Sequence, residues 1–483
     1  MGESRVLTGI DGLDPLIEGG FPRGSLVLLA GNPGTGKTIF GMQFLHKGAV
    51  NYGENGIYVS FAESKNTIID NTSKLLKCDL RTEKKNGEVK ILDFATVKEE
   101  GLSTILEMIF NEMMALKAKR LVIDSFTAMA QAFKDTIEAR IIIHTILSRF
   151  VRQLDCTTIL IVEVPIGSEK IGLSIEEFVA DGVITLRKES YDGRLVREIT
   201  IEKLRGTRLE NQRFLFTLHE GFQVFPPYFP HKEGEYPSEF EPTKGTKTHY
   251  PSGIPELDEI LGGQGYPRGC SVLYELGEDV PVEALHRIIS PTLANFIMRK
   301  RGVIVIPTIE YGPEDIKRMV ASFTGEEKFN EYARVIAYSS PLIDMNKPYI
   351  VAWKDPTVED IDAMENFNMY IQTAVELSSR LGKNVVHFLS GDSLAYVVER
   401  FTSAVVGRSV IANRSGKDLM IYTSKPSIPE DLRKSFADIL SIHFKIEERN
   451  GSMILFGKKP KTIVYCIQPD ASRDCRVKLT PII

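Results

Sequence analysis

The chain alternates short, uniformly apolar runs with longer, helix-compatible stretches. In the first half "SLVLLAG" (25–31) precedes "KTIFGMQFLHKGAVNYG" (37–53), and "GIYVSFA" (56–62) precedes "TIIDNTSKLLK" (67–77). "RLVIDSF" (120–126) then precedes "EARIIIHTILSRFVRQL" (138–154), and "TTILIVEV" (157–164) precedes "SIEEFVA" (174–180). Strands that are apolar throughout are buried on both faces, and helices between them predict a mostly parallel sheet covered on both sides. "GVITLRKES" and "LVREITIEKLRG", separated by Tyr191-Asp192-Gly193, predict a hairpin that extends the sheet in antiparallel fashion. The expected class is α/β.

The chain also repeats itself. "GIDGLDPLIEGGFPRGSLVLL" (Gly9 to Leu29) recurs as "GIPELDEILGGQGYPRGCSVLY" (Gly253 to Tyr274), at an offset of 253 − 9 = 244 that becomes 274 − 29 = 245 after one inserted residue. Between the copies lies "FPPYFPHKEGEYPSEFEPTKGTKTH" (225–249), rich in Pro, Gly and charge and without helical or strand period. The expected organisation is a first domain over 1–224, a linker over 225–249 and a second domain over 250–483, each long enough to bury its own core.

Composition narrows the function classes. With 43% hydrophobic and 25% charged residues the chain is an ordinary folded protein, not a disordered one. A net charge of −5 provides no overall positive field for a polyanion, which counts against a nucleic-acid partner. The five cysteines (Cys78, Cys156, Cys270, Cys466, Cys475) form no CxxC pair and read as reduced thiols of a cytoplasmic protein. The first residues lack a basic segment followed by an apolar one, Val6 stands where a myristoylation motif needs Ser or Thr, and no apolar run is long enough to span a bilayer. No membrane association is expected.

Chemistry enters at "GNPGTGKT", which fits G-x-x-x-x-G-K-[ST] through Gly31, Gly36, Lys37 and Thr38, after an apolar run and before a helical one. Glycines let backbone N–H groups close around phosphate oxygens, the lysine reaches the outer phosphates, the hydroxyl meets Mg²⁺, and the helix start adds its positive dipole end. The expected nucleotide contacts are Asn32, Pro33, Gly34, Thr35, Gly36, Lys37, Thr38 and Ile39, with ATP and Mg²⁺ as ligands. Asp124, ending "KRLVID", is where a Walker B carboxylate would hold the metal through water beside Thr38; an acid there also caps the following helix in many proteins. Glu63, ending "GIYVSFAE", is either a group that orients the attacking water or a solvated carboxylate at a loop start. Glu163, ending "TTILIVE", is either a γ-phosphate sensor or a rim carboxylate paired with a lysine. Alternation in "ITIEKLRGT" puts Lys203 and Arg205 on one face of a strand, as a solvated edge or as cations reaching a neighbouring subunit's nucleotide.

Taken together, "TGIDGLDPLIEGGFPRGSLVLLAGNPGTGKT", "FGMQFLHKGA", "GIYVSFAES", "LVIDS" and "KLRGT" resemble the RecA-type ATPases and, within them, the KaiC-like family, over most of residues 4–218. The resemblance implies tandem RecA-like P-loop domains. It also implies a water-activating role for Glu63, and for Lys203 and Arg205 a reach into the next subunit of a closed homo-oligomer, a hexamer. Family members usually carry a glutamate pair where this chain has Ala62 and Glu63, and a histidine after "RGT" where it has Arg208 and Leu209. Archaeal gas-vesicle regulators of the GvpD type look similar as well.

The second copy is degenerate. "ELGEDVPVEA" keeps Gly277 but has no Lys-[Ser/Thr], and Glu275, Glu278 and Asp279 put negative charge where phosphates belong. Relics remain in Asp392, Glu310, Lys458 and Thr462, while Pro460 replaces the residue equivalent to Arg205. The function expected is an ATP-binding, slowly hydrolysing regulatory ATPase whose second domain serves assembly or a regulatory protein partner. The alternatives are a RecA/RadA-like DNA-dependent ATPase, a KaiC-type autokinase, and a GvpD-type transcriptional regulator.

Overall fold

The computed structural model describes residues 4–78, 86–94, 102–130, 151, 153–165, 167, 179–229, 239–338, 343–353, 363–398 and 402–483. The expected helices over 138–154 and 174–180 fall almost wholly outside these residues. Two compact units result: Met1–Pro227 with Asn450–Ser452 and Pro481–Ile483, and Tyr228–Arg449 with Met453–Thr480.

In the first unit β1 (Arg5–Val6) pairs with β2 (Phe21–Pro22). The main sheet comprises β3 (Leu26–Gly31), β4 (Gly56–Ser60), β5 (Val89–Asp93), β6 (Arg120–Asp124), β7 (Thr157–Glu163), β8 (Gly182–Tyr191), β9 (Arg194–Leu204), β10 (Arg213–Thr217) and β11 (Gln223–Phe225). Their spatial order is β11-β10-β9-β8-β3-β7-β6-β4-β5. From β8 to β5 every pairing is parallel, and β8 to β11 form the antiparallel extension.

The apolar run of β3 is buried along its whole length and feeds two cores, because successive side chains leave a strand on opposite faces. Val27 and Leu29 join one core with Phe40 and Phe44 of helix α1 (Lys37–Tyr52). Leu26 and Leu28 join the other with Ile109 and Met113 of helix α3 (Leu102–Leu116), while α2 (Lys65–Leu76) follows β4. Arg120, at the start of β6, is a large buried side chain. It ion-pairs with Glu54 at 2.7 Å and donates to the backbone oxygens of Phe44 (2.8 Å) and Leu7 (2.9 Å), locking the far end of α1 to the sheet. Breaking such a pair by removing one partner costs on the order of 3–5 kcal/mol.

The second unit repeats this frame. Its small pair is β12 (His249–Tyr250) with β13 (Tyr266–Pro267). The large sheet holds β14 (Ser271–Leu276), β15 (Val303–Ile306), β16 (Ala333–Tyr338), β17 (Ile350–Trp353), β18 (Val386–Ser390), β19 (Leu419–Ser424), β20 (Ile442–Arg449), β21 (Ser452–Lys459), β22 (Lys461–Pro469) and β23 (Val477–Pro481). The order β23-β22-β21-β20-β14-β19-β18-β15-β16-β17 matches the first sheet strand for strand, with β17 added at one edge. The chain is therefore two tandem RecA-like α/β units. No helix among the described residues is long and apolar enough to cross a membrane.

Candidate functional site

The loop Asn32–Gly36 joins β3 to α1 at the C-terminal edge of the parallel sheet, where open α/β folds place their ligands. Gly34 and Gly36 have φ of 75° and 104°, left-handed values that exact a cost from other residues. A Cβ on Gly36 would also come within 2.8 Å of the Leu218 side chain. Side chains brace the loop from outside. Asn32 Nδ2 donates to the Val164 (2.9 Å) and Pro165 (3.1 Å) oxygens, and Thr35 Oγ1 to the Asn32 oxygen at 2.8 Å. Arg197 Nη1 donates to the Gly34 oxygen at 3.2 Å. Lys37 folds back over the loop, its Nζ donating to the Gly31 (2.8 Å) and Asn32 (3.0 Å) oxygens. Burial pushes the Lys37 pKa below its usual value, opposed by the nearby Glu163 and Asp124 carboxylates. Pro33 and Gly34 are exposed, whereas the Ile39 side chain belongs to the core, leaving only its backbone to face a ligand.

Asp124 ends β6 beside Ser60, the last residue of β4. Its Oδ2 accepts from Thr38 Oγ1 at 2.8 Å and from the Tyr58 hydroxyl. Thr38 and Asp124 are thus within one hydrogen bond of each other at the mouth of the loop. One hydroxyl and one carboxylate are the hard oxygen donors that Mg²⁺ takes alongside water and phosphate oxygens, so the residues present fit that ion. Tyr58 is fully buried, and burial followed by the Asp124 charge raises its pKa well above the usual phenol, which keeps it a donor.

Glu63 is exposed, and its backbone is pinned at the tip of β4. Its N–H donates to Ser60 Oγ (3.1 Å), and that hydroxyl donates to the Glu63 oxygen (2.7 Å). Glu163 ends β7 directly alongside Gly31, with its N–H on Thr127 Oγ1 at 2.9 Å.

Lys203 and Arg205 lie elsewhere. Lys203 pairs across β9–β8 with Val183, which neighbours Leu28, whereas the loop leaves β3 after Gly31 beside Leu186. Three residues of strand separate the two places, about 10 Å. The Lys203 amine donates to the Ala180 oxygen (2.7 Å) and Arg205 pairs with Asp181 (3.4 Å), both just before β8. The expectation that both stand on one strand is corrected, since β9 ends at Leu204 and Arg205 lies beyond it. Neither cation reaches the loop of its own chain. Thr207, next along, accepts from Arg5 Nη1 at 2.6 Å.

Sequence reasoning missed Tyr58, Lys188, Arg197 and Leu218 around the loop. Tyr58 hides inside an apolar run. Lys188 and Arg197 pair directly across the β8–β9 hairpin, and counting outward from its turn, where Tyr191 faces Arg194, would have found them.

In the second unit β14 and β3 are both six residues long, and the next helices begin at Val282 and Lys37. The offset is 276 − 31 = 245 at the strand ends and 282 − 37 = 245 at the helix starts, so the loops have equal length. Val282 thus replaces Lys37, Glu283 replaces Thr38, Pro281 replaces Gly36 and Asp279 replaces Gly34. Glu275 at the tip of β14 accepts from His443 (2.7 Å) and Lys458 (3.2 Å). Burial pushes its carboxyl up, but the His443 hydrogen bond and the charges of Lys458 and Lys445 prevail and hold it at about 2. The other relics are likewise engaged: Glu310 with Lys425, Asp392 with Ser390, and Thr462 with the Gly457 N–H at 2.7 Å.

Two family models match the chain: the KaiC ATPase over residues 6–227 and GvpD basic region 2 over residues 239–483. The circadian clock oscillator protein KaiC of Parathermosynechococcus lividus is 35% identical over 270 residues, covering 53% of this chain and 47% of that protein. The chain spans about half the length of the KaiC relatives it matches. Protein GvpD2 of Halobacterium salinarum is 26% identical over 467 residues, 93% of this chain and 91% of the relative. A crystal structure of a KaiC-like protein from the archaeon Pyrococcus horikoshii shares 37% identity with TM-score 0.42, covering 46% of this chain and 99% of that one. The KaiC model thus covers the first unit, and the similarity to GvpD2, over 93% of this chain, runs through both. The chain belongs to the KaiC-like, GvpD-type family of P-loop ATPases.

Proposed function

We propose that the protein is a nucleotide-switched regulatory ATPase that binds one ATP with Mg²⁺ per chain, at the first-unit loop, and hydrolyses it slowly. The observation that carries this reading is the Thr38–Asp124 contact at 2.8 Å beside a loop already closed by Lys37, set against a second-unit loop of equal length with neither lysine nor hydroxyl. In the bound state the loop N–H groups and Lys37 hold the phosphates, and Thr38 and Asp124 hold the ion that neutralises them. Glu63, at the tip of the adjacent strand, orients a water for attack on the γ-phosphorus. The bond to the β–γ bridging oxygen breaks, and ADP and phosphate leave. A single glutamate in place of a pair supports slow turnover, as suits a switch.

Lys203 and Arg205, directed away from their own loop, serve the nucleotide of the next subunit in a homo-oligomeric ring, a hexamer on the family pattern. The second unit, inert toward nucleotide, is the platform for assembly or for a regulatory protein partner in the cytoplasm. Calorimetry with a non-hydrolysable ATP analogue and Mg²⁺ tests the core of this reading. The expected stoichiometry is one per chain, abolished by Lys37→Ala. A second equivalent that survives that change would overturn it.

A further inference from the structure

The β8–β9 hairpin carries two cations past the phosphate loop, and the family pattern assigns one of them, Lys188, no role. Lys188 and Arg197 stand directly opposite each other and so share a face of the sheet. A Cβ built on Gly34 would lie 3.1 Å from Lys188 Nζ, so the ammonium sits over the outer limb of the loop. The Lys188 charge also reaches Lys37, where it works against protonation. Three cations therefore converge on one short loop, although like charges facing each other across strands destabilise a sheet.

Two of the three are committed. Lys37 is buried on the Gly31 and Asn32 oxygens. Arg197 is buried and donates to the Ile483 (2.6 Å), Gly34 (3.2 Å) and Thr35 (3.5 Å) oxygens, all in the same unit. Lys188 is exposed and has no hydrogen-bond or ion-pair partner among the described residues. A repulsive arrangement with one ammonium left open calls for an anion.

We propose that Lys188 binds the terminal phosphates of the nucleoside triphosphate held by its own chain's loop, with Arg197 as the positioning residue that fixes Gly34 beneath it. The inference rests on the nucleotide reading above and deepens it. The start of α1 and the loop N–H groups serve the inner phosphates. Lys188 lies over Gly34 on the solvent side, where the chain of phosphates ends. The role is intramolecular, in contrast to that of Lys203 and Arg205, about 10 Å back along the sheet.

The test is equilibrium binding of a non-hydrolysable ATP analogue, ADP and AMP, each with Mg²⁺, to the full chain and to its Lys188→Met and Lys188→Arg variants. Loss of one charge-assisted contact should weaken triphosphate binding about tenfold or more, ADP binding less, and AMP binding not at all. Lys188→Arg should restore triphosphate affinity to within about threefold of the parent, since it keeps the charge. Equal affinities of parent and Lys188→Met for the triphosphate would overturn the proposal, as would an equal loss for all three nucleotides, which marks a structural role. If the parent chain itself binds no triphosphate, the nucleotide reading fails instead, and the two failures are distinct.

Discussion

Acid should destabilise the second unit in part through one buried side chain, His286, and replacing it should remove that share. His286 sits on the helix Val282–Met298, at the place of Gly41 by the offset 286 − 41 = 245. There it fills the space under Tyr311 (5.3 Å between ring centres) and Phe388 (5.7 Å), with neither ring nitrogen hydrogen-bonded among the described residues. Burial lowers its pKa from 6.5 to about 4, with Glu283 and Asp315 pulling it up and Lys425 pushing it down. The folded state thus keeps the ring neutral, while the unfolded chain takes up a proton as pH falls through 6.5. The stability is complete above that pH and declines until about pH 4. A gap of 6.5 − 4 = 2.5 units at about 1.36 kcal/mol each comes to about 3 kcal/mol. The assay is urea unfolding between pH 7.5 and 4 by fluorescence of Trp353, the only tryptophan of the chain, which is buried in this unit. A two-unit chain need not unfold in one step, and this probe confines the reading to the relevant half. His286→Phe keeps an aromatic ring and needs no proton partner. Its stability should fall by about 3 kcal/mol less than the parent's over that range, all other titrations cancelling in the comparison. Parallel pH curves for the two proteins would refute the reasoning.

Three further outcomes concern the first unit. Glu63→Gln should leave binding of ATP nearly intact and slow hydrolysis by about 10²-fold or more, measured as phosphate release; unchanged turnover would move the role to Glu163. Mixing Lys37→Ala chains with Arg205→Ala chains should partly restore ATPase activity if Arg205 acts across a subunit interface. Lys188→Met chains mixed with Lys37→Ala chains should not recover, because that cation works within its own chain; the reverse pattern would count against both assignments.

The parts of this fold that were legible in the sequence are those written in local pattern. Runs such as "LVLLAG" and "RLVID" can only be central strands of a covered parallel sheet, and the glycines of "GNPGTGKT" answer to φ values that the structure shows at Gly34 and Gly36. Asp124 followed from the same logic, since it ends an apolar strand of the same parallel sheet, whose C-terminal edge carries the loop. The rest depends on register, which periodicity alone does not fix. Whether Lys203 or Arg197 faces the loop is decided by which residue of β9 lies across β8 from the end of β3, and the β-bulge between Val183 and Ile184 shifts that count. Lys188 and Arg205 are chemically alike in the sequence yet lie at opposite ends of the hairpin's reach. Tyr58 was invisible for another reason: an apolar strand conceals a phenol whose hydroxyl matters only because Asp124 ends the neighbouring strand.

The comparison between the two units shows how little of such a frame belongs to phosphate chemistry. Strand order, the length of the β3 and β14 strands and the length of the loop after them are all retained, because they answer to the buried cores. Among the differences are four that fall on residues that would meet phosphate or stand beside them, and they act by independent physical means. Val282 removes the cation, and Glu283 replaces the metal-facing hydroxyl with a charge. Pro281 deletes an N–H where Gly36 supplies one, and Glu275 draws the His443 ring and the cations Lys445 and Lys458 onto the strand tip. Regaining a lysine would therefore not regain the site, since the missing N–H and the occupied strand tip would remain. Four separate obstacles at one loop support the proposal that the second unit binds no nucleotide, and no single substitution removes them all. That robustness is what a platform requires if its contacts must hold steady while the first unit changes state.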